Sequence, residues 1–237
     1  AGHPPETITG PIGVYAGCGM GSYFYFNICS NPDLVDDVGM FLLRHTGNDK
    51  DFLSTRVSHV FDLHGPSINL QTACSTSLVA IHYACQALRA GEVEMALAGG
   101  ARIGLPQQGY VYQPGMIGSG DGVCRAFDAD AQGTVGGSGG AMVVLAPVAT
   151  AWQNNHTIYA VVKGSAVNND GTDKVGFTAP GVNGQAQVIS QAMARAKVTA
   201  QSISYVEAHG TATPLGDPVE VAALSQAYQK HTDKTGF

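Results

Sequence analysis

The sequence predicts an α/β fold with a largely buried sheet. Three observations lead there. Short apolar runs of strand type alternate with longer segments of helical periodicity. Glycine-rich turns, drawn from 31 glycines, separate them. Charged residues are only 13% of the chain against 44% hydrophobic ones, a balance that suits a turn-rich enzyme rather than a solvated helical array.

Taken in order, residues 12–16 read as a buried strand and residues 33–45 as a helix. Residues 68–71 form a short strand. Between Cys74 and Ala90, Leu78, Ile81, Cys85 and Leu88 recur at +3 and +4 spacing, which puts them on one helix face. Gly91 closes that helix. Residues 95–98 are a second buried strand. After a long glycine-rich stretch, residues 140–145 read as a strand stopped before Pro147. Residues 158–164 follow, with Tyr159, Val161 and Val162 as strand formers. Residues 184–197 are a helix with Val188, Ile189, Ala192, Met193 and Ala196 on one face. A strand at 203–206 runs into Glu207-Ala208-His209, and a last helix starts at Asp217-Pro218. Residues 66–78 and 203–228 echo each other faintly: strand, turn bearing a cysteine or histidine, helix.

Composition excludes several classes. A net charge of -6 leaves no footprint for nucleic acid or an anionic membrane surface. No apolar run approaches the ~18 residues of a membrane span. The five cysteines, Cys18, Cys29, Cys74, Cys85 and Cys124, are odd in number and none are close-set. That argues against a disulfide framework or a zinc cluster, and reduced thiols fit the cytosol. Ala1-Gly2-His3-Pro4-Pro5-Glu6 lacks the basic start and apolar core of a signal peptide. A cytoplasmic protein without a metal is expected, and Asn155-His156-Thr157 is then a chance glycosylation sequon.

Two motifs are set aside. Gly136-Gly137-Ser138-Gly139-Gly140 fits the G-x-S-x-G elbow literally, but no helix pattern follows it. Gly17-Cys18-Gly19-Met20-Gly21 lacks the third glycine spacing and the acidic residue of a dinucleotide fingerprint.

Cys74 stands where a strand gives way to a helix. A cysteine in the first helical turn feels the positive end of the helix dipole and the unpaired N–H groups there, which favour thiolate, the nucleophilic form. Ser75, Thr76 and Ser77 can satisfy local donors and tighten the turn. The residues alone leave two readings open: a reactive thiol, or a small packing residue, as Cys18, Cys29, Cys85 and Cys124 are read by default. His209 is likewise open between a structural and a catalytic role. Asp217, Pro218 and Glu220 have the spacing of a capping box.

The segment from Gly65 to Ala80, with Thr72-Ala73-Cys74-Ser75-Thr76-Ser77 at its centre, resembles the nucleophile segment of β-ketoacyl synthases of the modular polyketide-synthase branch. Gly47-Asn48-Asp49-Lys50-Asp51-Phe52-Leu53, Ala96-Leu97-Ala98-Gly99-Gly100 and Cys124-Arg125-Ala126-Phe127-Asp128 resemble that branch too. His209-Gly210-Thr211, followed by Gly216-Asp217-Pro218, is similar to its histidine motif. The likeness runs over almost the whole chain.

The resemblance implies a thiolase-like α/β fold, layered α-β-α-β-α. Residues 1–148 would be the half that bears the cysteine. Residues 149–237 would open a second, incomplete half that bears the histidine. It implies decarboxylative Claisen condensation of an acyl-Cys74 thioester with malonyl on an acyl carrier protein. His209 would hydrogen-bond the malonyl thioester, Thr211 and Thr213 would contact the pantetheine arm, and Asp217 and Glu220 would support the site through an ion pair to a lysine. No cofactor is bound directly; the carrier protein's phosphopantetheine arm carries the substrate. The partners implied are that carrier protein and, for the complete domain, a second copy of it in a homodimer. The family's Ser-Val-Lys-x-Asn lysine, Asn-Ile-Gly-His histidine and glycine-phenylalanine loop do not occur before Phe237. These residues by themselves are therefore expected to load an acyl group without condensing it. Transfer without condensation, or an inactive scaffold, are the alternatives. Two departures from the family pattern, Gly118-Ser119-Gly120-Asp121-Gly122-Val123 and Ala146-Pro147-Val148, leave the nucleophile untouched.

Overall fold

The structure, a computed structural model, describes residues 10–105 and 109–229. Ala1 to Glu6, Lys234 to Phe237, His3 and His231 lie outside the described residues. The chain divides into two compact units. The first comprises Ala1–Gly109 and Gly137–Val161, the second Tyr110–Gly136 and Val162–Phe237.

The first unit is built on a four-stranded sheet. Its strands are β1 (Ile12–Cys18), β2 (Ser67–Asn69), β3 (Met95–Arg102) and β4 (Gly139–Leu145), in the order β2-β1-β3-β4. β2, β1 and β3 run parallel, with Val14 opposite Ser67 and Tyr15 opposite Ala98. β4 is antiparallel, with Ala98 opposite Val143. β1 lies between two ladders, and Ile12, Val14, Tyr15 and Ala16 are buried, as a strand in a parallel sheet requires. β4 forms the edge of the described sheet, and Met142, Val143 and Val144 are exposed, so burial is confined to the sheet's centre.

The helices of this unit are α1 (Pro32–Val38), α2 (Met40–Asn48), α3 (Leu53–Phe61), α4 (Thr76–Ala90) and the short α5 (Val148–Gln153). The single helix expected over 33–45 is two, because Gly39 takes φ +83 and breaks the hydrogen-bond run between them. α4 packs on β1 and β3, and Gly91 ends it in the left-handed region. The face it buries includes Cys85, as the spacing predicts, but is wider than that spacing and leaves out Leu78. Ala80, Ala84 and Ala87 join Tyr15, Val93, Ala96 and Ala98 in the core, with Ile81 and Leu88 beside them, while Leu78 is 71% exposed. Alanines let the helix backbone approach the sheet closely, and this places the seam one residue away from the larger side chains.

The second unit holds α6 (Val182–Ala196) and α7 (Gly216–Gln229). Ala186 and Met193 of α6 pack with Ala223, Ala227 and Tyr228 of α7 and with Ala200. Lys197 closes α6 with φ +54. The two strands expected at 158–164 and 203–206 do not form ladders. Both segments are drawn out without a strand partner among the described residues, and Tyr159 and Tyr205 are 95% and 76% exposed. β-forming residues make a strand only when a neighbouring backbone takes up their N–H and C=O groups.

Candidate active site

Cys74 sits in a single 3-10 turn, Ala73–Ser75, that leads straight into α4. The turn is tied by its own hydroxyls. The Thr72 amide donates to Thr76 Oγ1 at 3.0 Å, and that hydroxyl donates to the Ala73 carbonyl at 2.8 Å. Ser75 Oγ donates to the Thr72 carbonyl at 2.9 Å. Ala73 takes φ +53, a region costly to a residue with a Cβ. The strain is concentrated one residue before the cysteine, as at many functional turns.

The end of β1 must be glycine for this turn to close. A Cβ on Gly17 would overlap the Leu70 carbonyl oxygen and Thr76 Cγ2. α3 and the segment before it are fastened to β2 through Asn69, whose Oδ1 accepts from the Ser54 amide at 2.9 Å while its Nδ2 donates to the Asp51 carbonyl at 2.7 Å. Lys50 Nζ thereby reaches Gln71 Oε1 at 3.2 Å. Cys74 is exposed and opens on a cavity of about 480 Å³ lined also by Cys18, Met20, Lys50, Gln71 and Arg102. Among the described residues the cavity's lining holds the cationic Lys50 and Arg102 and no carboxylate.

The other cysteines divide. Cys85 is buried in α4, and burial pushes its thiol above the ordinary range against a smaller opposing effect of Arg89. It is a packing residue. Cys18 is half-buried at the cavity, and Cys29 and Cys124 are exposed, so the default reading of these three as buried does not hold.

His209 belongs to the second unit, where the structure gathers all the remaining predicted site residues around one loop. Glu220 on α7 accepts from the His209 amide at 2.6 Å and from the Gly210 amide at 2.9 Å. Asp217 is 5% exposed. Its Oδ1 accepts from the Ala212 amide at 3.0 Å and its Oδ2 from the Phe127 amide at 2.6 Å. Two carboxylates thus hold four backbone amides. This corrects the capping box: α7 begins at Gly216, so Asp217 and Glu220 lie inside the helix and their carboxylates bind amides of the histidine loop and of Phe127, while Thr213 Oγ1 accepts from the Gly216 amide at 2.9 Å. Thr211 and Thr213 hydroxyls lie 3.0 Å apart. Gly210 and Ala212 have φ +53 and +57, which turns the loop tightly enough for this clamp.

One participant had no role assigned from sequence. Phe127, inside Cys124-Arg125-Ala126-Phe127-Asp128, joins the clamp through its amide. Only the motif's likeness to the family marked it. Among the described residues no group of three His, Cys, Asp or Glu side chains is placed to hold a metal, and no helix is long and apolar enough to cross a membrane.

The family model for the β-ketoacyl synthase N-terminal domain matches residues 1–151, and that for the C-terminal domain matches residues 159–236. The chain belongs to the β-ketoacyl synthase family. Its relatives are polyketide synthases. It is 47% identical over 97% of its length to a phenolphthiocerol/phthiocerol polyketide synthase of Mycobacterium tuberculosis, of which it spans 16%. It is 44% identical over 78% of its length to polyketide synthase PksN of Bacillus subtilis, of which it spans 3%. Among solved structures it is similar to the ketosynthase from module 1 of the bacillaene synthase of Bacillus amyloliquefaciens, at TM-score 0.85 and 40% identity, covering 99% of this chain and 40% of that one. Ketosynthase twelve of the bacillaene synthase gives TM-score 0.84 at 40% identity, covering 94% of this chain and 39% of that one. The α/β fold of this β-ketoacyl synthase chain is therefore of the thiolase-like class.

Proposed function

We propose that this chain carries the cysteine and a histidine of a polyketide-synthase condensing enzyme. The thiolate of Cys74 attacks the carbonyl of an acyl thioester on an acyl carrier protein. The new C–S bond holds the acyl group on Cys74, and the carrier's phosphopantetheine thiolate departs. A malonyl thioester on a carrier protein then loses carbon dioxide, and the electron pair of the broken C–C bond remains on the α-carbon as an enolate. His209 donates a hydrogen bond to the thioester oxygen where that charge develops. The enolate carbon attacks the acyl-Cys74 carbonyl, the Cys74 thiolate leaves, and the product is a β-ketoacyl chain two carbons longer on the carrier.

In this reading residues 1–148 bring the nucleophile and residues 149–237 the histidine. Thr211 and Thr213 touch the pantetheine arm, a second copy of the chain completes a homodimer, and no cofactor or metal is bound. The observation that carries the reading is Cys74 itself: an exposed thiol after a left-handed Ala73, at the head of a 15-residue helix, facing an open cavity of about 480 Å³. The test is C74A in the complete protein given an acyl-loaded carrier protein. Intact-mass measurement should find no acyl adduct on the variant. An adduct retained on the variant protein refutes the role.

A further inference from the structure

The turn Cys124–Asp128 wraps Gly210, the residue next to His209. Cys124 Sγ lies 3.9 Å from the Gly210 carbonyl oxygen, as a weak donor. A Cβ on Gly210 would stand 3.1 Å from Ala126 Cβ and 3.2 Å from Phe127 Cε2, so both side chains lie against that glycine. Phe127 is held there at a cost. Its φ is +62, a region that a bulky side chain rarely occupies, and the residue is 48% exposed. Neither backbone preference nor burial places it. What does is the 2.6 Å hydrogen bond from its amide to buried Asp217, the same carboxylate that binds Ala212 on the far side of the histidine loop.

We propose that Phe127 is a positioning residue for His209. Asp217 fixes the backbone of both segments, and the Phe127 ring closes the remaining side of Gly210. The peptide that carries the imidazole is then bounded by Glu220 on its amides and by Phe127 and Ala126 on its Cα. A histidine that must meet a developing enolate oxygen needs this restraint, because small displacements cost transition-state contacts far more than ground-state binding. The proposal rests on the decarboxylating role assigned to His209 above.

The experiment compares F127A, F127Y and H209A in the complete protein, with acyl loading of Cys74 and decarboxylation of malonyl-carrier protein measured separately and thermal unfolding followed in parallel. F127A should load acyl groups at the wild-type rate. Its decarboxylation kcat should fall by about tenfold or more at an unchanged KM, and F127Y, which restores the ring, should recover it. A parallel loss of loading, decarboxylation and Tm in F127A would show that the ring only maintains the fold, and would overturn the proposal. Wild-type decarboxylation by F127A would overturn it too. If H209A decarboxylates normally, the role given to His209 fails, and the role of Phe127 fails with it, for a reason distinct from the first two.

Discussion

The two units solve the same problem by different means. In the first, Cys74 lies in a turn between β2 and α4, and that turn is secured by main chain and hydroxyls: β1 has ladders on both sides, Gly17 admits the Leu70 carbonyl, and Thr72, Ser75 and Thr76 close the turn. In the second, the segment that leads to His209 has no ladder among the described residues, and carboxylates on α7 hold the amides of the loop that follows it, those of His209, Gly210 and Ala212. The difference teaches that one kind of functional turn can be fixed by close packing or by charge-assisted hydrogen bonds. The two should fail under different insults.

The largest break is expected in the second unit. D217A strands the buried Ala212 amide and frees Phe127, and should cost about 3 kcal/mol in denaturant unfolding. Hydrogen exchange should rise at 209–213 and 125–128 while β1 stays protected. Uniform loss of protection would erase the contrast. In the first unit, G17A forces a methyl against the Leu70 carbonyl and Thr76 and should cost about 2 kcal/mol. Here the exchange should quicken around Cys74, with the His209 loop unchanged. A Gly17→Ala protein as stable as wild type would show that the turn is not set by that approach.

The smallest effect is electrostatic and confined to the second unit. Asp121 is lowered from 3.8 to about 2, first by the Ser119 hydroxyl, then by Arg125, then by the Val123 amide. Its folded value lies below its ordinary one. The contribution is therefore complete above about pH 4 and fades as the pH falls through about 2. An NMR titration should place the Asp121 carboxyl midpoint near 2, with the Val123 amide following it. A midpoint near 3.8 would mean that the turn is open in solution.

Several features of the fold were legible because their causes are local. β1, the helix closed by Gly91 and the strand stopped before Pro147 follow from nearest-neighbour chemistry. The unassigned helix α3 and the break at Gly39 were missed, since a glycine inside an amphipathic stretch does not announce which φ it will take. The strands expected at 158–164 and 203–206 went wrong for the opposite reason. Tyr159, Val161 and Tyr205 have strand character, but a strand is a pairing, and its partner is not written in its own residues. The spacing puts Leu78 on the face of Ile81, Cys85 and Leu88, yet it is exposed while Ala80, Ala84 and Ala87 lie in the core.

By itself the sequence determined the family, the α/β class, and Cys74 and His209 as the residues to examine. Each of these is carried by identity and order along the chain. Only the tertiary structure decided what holds His209. Asp217 and Glu220 look like helix caps in one dimension, because a capping box and a loop clamp share the same spacing. Which amides they take depends on where α7 begins and on Phe127, 90 residues away along the chain, coming within 2.6 Å of one carboxylate oxygen.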